Sequence, residues 1–279
     1  MSYRILKIVI NKIYSWFLKV IKTNNSNNPF GNIPLGTKDE YLKIWQDAKK
    51  KDYPLIEQYE NNLGYRLDKA WVDDLALITQ TVIKKSDICY QHGKILFSTL
   101  CNMIEKNKLN VVNILETGTA RGFSAICMAR ALDKMNIGGT ISTIDLLPHN
   151  KKMYWNCISD IDGKHTRKKL LRNYSDLIGT RINFIEGNAE NILQTLNINR
   201  VHFAFLDAMH SYEEVMLEFN YLFSRQKKGD MIIFDDYTKS LYPEVIKAVD
   251  EICENYPYHK KVIIVSNQRG YAITTRKKD

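Results

Sequence analysis

From residue 111 onward, short runs rich in β-branched and aromatic residues alternate with longer helical stretches. No other feature constrains the fold as tightly, because the two periodicities demand different backbones. The runs are 111–116, 140–145, 181–186, 201–207, 230–235, 261–265 and 271–275, and the helical stretches between them lie at about 122–135, 166–177, 189–196, 212–224 and 243–255. The first five runs are almost continuously apolar. Strands buried on both faces read this way, so the expected fold is α/β, with a parallel sheet covered by helices on both sides. Only residues 266–270 join the last two runs, too few for a crossover helix, so that pair is an antiparallel hairpin. The sheet is then seven-stranded and mostly parallel, with one reversed strand near its edge.

The N-terminal third differs. Residues 39–110 read as helices: Asp39 can cap a segment through Lys51, Pro54 starts another through about Asn62, and 68–85 and 90–107 carry helical periodicity. They form an expected helical cap or accessory layer, followed by the α/β domain at 111–279. Residues 24–38 are polar and turn-rich and read as a linker. Residues 1–23 hold Arg4, Lys7, Lys12, Lys19 and Lys22 and no acid. Arg4, Lys7, Asn11, Ser15 and Lys22 can share one helical face, and Ile5, Val9, Ile13, Trp16, Phe17 and Val20 the other. This pattern suits a peripheral membrane anchor at the inner face of a membrane, or a helix packed on a partner. Charged residues interrupt the segment too often for a membrane span.

The formal charge of +9 comes from 40 Lys and Arg against 31 Asp and Glu, but the leader alone carries +5 of it. The body is nearly balanced and shows no basic stripe with interleaved aromatics, so no nucleic-acid partner is expected. The five cysteines are Cys89, Cys101, Cys127, Cys157 and Cys253, widely spaced and without a C-x-x-C. That excludes a disulfide framework or a cysteine zinc site and fits a cytoplasmic protein.

Open parallel sheets bind ligands beyond the carboxyl ends of their strands. Here Glu116, Asp145, Asp207, Asp235 and Asp236 all fall at such ends, while the third strand runs into Glu186–Gly187–Asn188. A row of acids at one rim suits hydroxyls, amines or a cation. The first strand leads through Gly118, Ala120 and Gly122 into a helix at Phe123. Small residues at places one, three and five, with an acid two places before the first glycine, are not the dinucleotide spacing, which needs a glycine at the sixth place.

This stretch resembles the E-x-G-x-G-x-G motif of class I S-adenosylmethionine-dependent methyltransferases, with Ala120 in place of the middle glycine. The segment Asp207–Ala208–Met209–His210–Ser211–Tyr212–Glu213 resembles the D-x-x-H-x-Y-E signature of a bacterial methyltransferase group associated with polysaccharide and glycoside modification. The order of parts over about residues 90–276 is similar too. The resemblance implies a Rossmann-like fold, S-adenosyl-L-methionine as cofactor and O-methylation of a hydroxyl on a small molecule or sugar. It implies cofactor contacts from Glu116, Gly118, Ala120, Arg121, Gly122 and Asp207, with Asp145 on the ribose and Asn188 and Ala189 at the adenine. By likeness to catechol-type O-methyltransferases, Asp207, Asp235 and Asp236 would hold Mg²⁺. His210 takes the place of the base and, with Asp207, completes the expected catalytic set.

Other readings stand beside these. Asp207 also suits helix capping or contact with the methionine moiety without a metal, and His210 also suits a capping role. His149 fits a plain loop role. Trp155 and the run Arg167–Lys168–Lys169 read as surface or lid features. The rival functions are a nicotinamide-dependent oxidoreductase and a membrane-associated binding module that has lost its chemistry.

Overall fold

A computed structural model describes residues 29–279. The basic leader 1–23 and residues 24–28 of the linker lie outside the described residues. Four helices come first: α1 (Lys38–Lys49), α2 (Pro54–Leu63), α3 (Lys69–Thr79) and α4 (His92–Asn107). Thr37, not Asp39, caps α1, through a reciprocal pair with Glu40 that satisfies two orphan backbone donors. Asp68 caps α3 by accepting from Trp71 N at 2.8 Å. The helix expected over 68–85 ends at Thr79. Beyond it, the Asn156 amide accepts from Ile83 N at 2.9 Å and donates to Ile83 O at 3.0 Å, replacing the helical bonds of that residue.

The α/β part follows as β1 (Val111–Thr117), α5 (Phe123–Lys134), β2 (Gly138–Asp145), α6 (Arg167–Leu170), α7 (Ser175–Arg181), β3 (Ile182–Glu186) and α8 (Ala189–Thr195). It continues with β4 (Phe203–Leu206), α9 (Tyr212–Phe223), β5 (Met231–Phe234), α10 (Pro243–Asn255), β6 (Tyr258–Ser266) and β7 (Arg269–Arg276). The sheet order is β3-β2-β1-β4-β5-β7-β6. Strands β1 to β5 pair in parallel, and β7 runs antiparallel to both β5 and β6. This is the expected seven-stranded Rossmann-like sheet, with the reversed strand one place in from the edge. The stretch expected as one helix over 166–177 is instead α6, a 3₁₀ turn at Arg172–Tyr174 and α7.

Side chains alternate between two apolar clusters, as a pleated strand requires. Ile114, Phe203, Phe205 and Ile233 join the cluster that also takes in α2, α3, α4 and α5. Leu115, Ala204, Leu206, Ile232 and Phe234 face the cluster built with α9 and α10. The N-terminal helices therefore share a core with one face of the sheet. Strands β2 and β3 are added outward on one side of β1, and β4 and β5 on the other, so the strand order reverses between β1 and β4, and an open sheet gapes at the carboxyl ends of such a pair. No described helix is long and apolar enough to cross a membrane.

Candidate active site

The turn after β1 sits at that switch point. Gly118 N donates to Ile144 O at 2.9 Å, and Asp207 N donates to Thr117 O at 3.0 Å, which locks the ends of β1, β2 and β4 together. Gly118 has φ +92°, and a Cβ there would stand 2.1 Å from Asp207 O. No other residue fits so close a crossing of two backbones. Ala120, the departure from an all-glycine motif, accepts φ +45°. Two bonds support it: its N–H donates to Asp145 Oδ2 at 2.6 Å, and its carbonyl accepts from Arg167 Nε at 3.0 Å.

A cavity of about 210 Å³ opens here, with Gly118, Ala120, Asp145, Asn188, Ala189 and Asp207 in its wall. Six of the nine residues expected to bind the cofactor thus come together. Asp145 offers its carboxylate at the end of β2, already holding Ala120 N and Leu147 N at 2.6 and 2.7 Å. Burial raises its pKa, against those two N–H donors. Asn188 caps α8 by accepting from Asn191 N at 3.3 Å. Glu214 and Glu218, one turn apart on α9, also line the cavity. Burial pushes Glu218 up to about 8.

Glu116, Arg121 and Gly122 do not line it. Glu116 is fully buried beneath the turn, where its carboxylate accepts from Ser124 and Thr143 hydroxyls, and burial pushes it up to about 7. The Arg121 Nε donates to Trp155 O at 2.5 Å, and its guanidinium lies over the Phe30 ring at 4.8 Å, so it braces the N-terminal segment instead of framing the methionine end. Gly122, at φ +93°, starts α5. Trp155 and Arg167 are not surface or lid features: both are buried, with the Arg167 guanidinium 5.3 Å from the Trp155 ring and 5.4 Å from the Phe184 ring. Arg167 also donates to Leu147 O at 3.2 Å, so one side chain clamps the turn and the loop after β2. His149 stacks on Phe184 at 4.3 Å.

The second part of the site is an acid corner. One ligand atom each of Asp207, His210 and Asp236 lies within 4.8 Å of the others. Asp207 follows β4, and Asp236 follows β5 at φ +55°, a backbone bend that swings its side chain towards His210. His210 Nε2 stands 2.9 Å from Asp236 Oδ2, although the ring N–H axis does not point along that contact. The ring stacks on Tyr242 at 4.2 Å. Burial raises the Asp207 pKa well above the carboxylate range, and Asp235 and Asp236 add like-charge repulsion.

Asp235, expected as a third metal acid, is not in this corner. It is buried, accepts from Asp236 N at 2.8 Å, and faces Arg269 Nη1 at 3.3 Å. Arg269 also reaches Asp236 Oδ1 at 2.9 Å. The donor set assembled is therefore two carboxylates and an imidazole, where an all-carboxylate triad was expected. The Tyr212–Glu213 part of the signature is structural. Ser211 caps α9 with Glu214, and Tyr212 OH ties α9 to α10 by donating to Glu251 at 2.8 Å. Arg269, Tyr242 and Glu218 went unnoticed in the sequence because each lies outside the motifs and reaches the site only through strand register, loop path or helix pitch.

Comparison with known proteins accords with this geometry. Residues 115–237 match the model of a family described as a methyltransferase domain. An uncharacterized protein of Acanthamoeba polyphaga mimivirus, R132, is 28% identical over 159 residues. That match covers 56% of this chain and 65% of R132, so the chain spans less than two thirds of this relative. An O-methyltransferase from Bacillus cereus, solved with S-adenosylhomocysteine, shares the fold at a TM-score of 0.54 and 18% identity, over 79% of this chain and 96% of its own. The O-methyltransferase TomG from Streptomyces achromogenes, solved with S-adenosylmethionine, does so at 0.53 and 16%, over 76% and 92%. Residues 115–237, a little under half of the chain, thus match a methyltransferase-domain model, and the fold is the one these O-methyltransferases share.

Proposed function

We propose that this protein transfers a methyl group from S-adenosylmethionine to a hydroxyl of a small molecule or sugar at the Asp207–His210–Asp236 corner. One observation carries the reading: two cavities flank that corner. Asp207 lines the cavity at the switch point, and Asp236 lines a second, larger one. A donor in the first and an acceptor in the second would face each other across the corner that Asp207 and Asp236 form with His210.

S-adenosylmethionine, when bound, supplies a methyl group on a sulfonium, and S-adenosylhomocysteine leaves when a nucleophilic oxygen attacks in line. Asp145 has carboxylate acceptor capacity for ribose hydroxyls, and the exposed Asn188 with Ala189 would border the adenine. His210 would take the acceptor proton, with the Asp236 carboxylate beside Nε2 to stabilise the imidazolium. The stacked Tyr242 ring keeps the imidazole facing the corner. Asp207, Asp236 and His210 also fit a divalent cation. The mixed oxygen and nitrogen donors suit Mn²⁺ better than Mg²⁺, which favours oxygen. Such an ion, when bound, would acidify a coordinated hydroxyl.

A crystal structure with S-adenosylhomocysteine and Mn²⁺ tests the reading. The adenosine should lie along Asp145 and Asn188, with the sulfur facing His210. A sulfur turned away from the corner would sink it.

A further inference from the structure

The larger cavity carries cations that methyl transfer does not use. Its volume is about 640 Å³, within the range of small-molecule sites. Four segments frame it: residues 51–53, residues 85–89, residues 236–242 and the β6–β7 connection at 265–269. Lys51 is tied to Asp87 at 2.8 Å in an exposed pair on the rim, and Arg269 is held by Asp235 and Asp236. Lys85 lines the cavity and Lys84 precedes it. Among the described residues, neither makes an ion pair or hydrogen bond with the protein.

Lys84 stays open to solvent, yet protein crowds around its ammonium. That crowding lowers its pKa and the Arg269 charge lowers it further, against the smaller raising pull of Cys89 and Asp236. A cation that is hemmed in, repelled by a neighbouring cation and still reachable from solvent is stabilised by an incoming anion. Tyr53, Ser86, Asn267 and Gln268 add neutral donors to the same wall.

We propose that the methyl acceptor is anionic: its hydroxyl reaches the Asp207–His210–Asp236 corner while a phosphate or carboxylate on the same molecule lies against Lys84 and Lys85. This rests on the methyltransferase reading above. A neutral acceptor would leave Lys85 without a counter-charge, in a wall that otherwise pairs its charges.

The test is calorimetric titration of the full chain with pyrophosphate and, separately, malonate, in metal-free buffer at fixed ionic strength and saturating S-adenosylhomocysteine. At least one anion should bind saturably. The Lys84→Gln, Lys85→Gln double variant should bind it at least tenfold more weakly while keeping its S-adenosylhomocysteine affinity, which shows that the variant is folded. Tighter binding of pyrophosphate assigns a phosphorylated acceptor, and tighter binding of malonate a carboxylated one. Absence of saturable binding by both anions, or undiminished binding by the double variant, overturns the proposal. If S-adenosylhomocysteine itself fails to bind, the methyltransferase reading falls instead, and the anion titrations on the protein alone still decide whether this wall is an anion site.

Discussion

Replacing Arg269 by Met removes a charge and keeps much of the volume. Arg269 Nη1 contacts Asp235 Oδ1 and Oδ2 at 3.4 and 3.3 Å and Asp236 Oδ1 at 2.9 Å. The Asp235 side chain is only 2% exposed, so it cannot turn to water once the guanidinium is gone. Removing one partner of a buried pair costs about 3–5 kcal/mol, because the other charge is left uncompensated. For a chain of this size that corresponds to a melting point lower by about 10 °C.

The loss should depend on pH. Burial raises Asp235 to about 6, against the lowering pull of Arg269. Without Arg269 its folded pKa rises further. A carboxyl raised on folding contributes stability below its unfolded pKa and loses it as pH climbs through the folded value. The variant's deficit should therefore be full at pH 7.5 and shrink towards pH 5, where Asp235 is protonated. Urea unfolding of both proteins at the two pH values in metal-free buffer measures it. A deficit under about 1 kcal/mol, or one equal at both pH values, refutes the argument that Arg269 is the counter-charge of a buried acid.

Three further outcomes are expected. Gly118→Ala places a Cβ 2.1 Å from Asp207 O and should cost about 3 kcal/mol or more, whereas Gly64→Ala, at φ +77° with open space around it, should cost only about 1 kcal/mol, as denaturant titration would show. Arg167→Met should weaken S-adenosylhomocysteine at least tenfold in calorimetry, because the turn at Ala120 and the loop at Leu147 lose their shared clamp; unchanged affinity would contradict that role. With Glu116 raised to about 7 and Glu218 to about 8, stability should rise as pH falls from 8 towards 5, and Glu218→Gln should remove part of that slope, up to about 1.4 kcal/mol per pH unit per group.

The α/β architecture was legible because its signals are local. Apolar strands, a hairpin connection too short for a helix and acids at strand ends are all read within one short window. The glycine turn after β1 was legible for the same reason. What escaped depends on contacts between distant segments. Arg269 reaches Asp235 and Asp236 because β7 pairs with β5 in a register that sets Ala272 opposite Phe234, and no local pattern encodes that register. Arg167 sits in a run that looks like a solvated charged face, yet its guanidinium is held between Trp155 and Phe184 where two carbonyls await donors. Asp235 and Asp236 are indistinguishable as neighbouring letters. The positive φ at Asp236 gives them different partners: Asp235 keeps to Arg269, and Asp236, also touched by Arg269, reaches His210. The helix expected through residue 85 stopped early because Asn156, some seventy residues away, supplies the bonds of Ile83.

The central claim is that the switch-point cavity binds S-adenosylmethionine and the acid corner uses it. Calorimetric titration of the full chain with S-adenosylhomocysteine and with NAD tests it most directly. The account predicts one saturable site for S-adenosylhomocysteine, weakened by Asp145→Ala, and no binding of NAD. Binding of NAD with none of S-adenosylhomocysteine would contradict it.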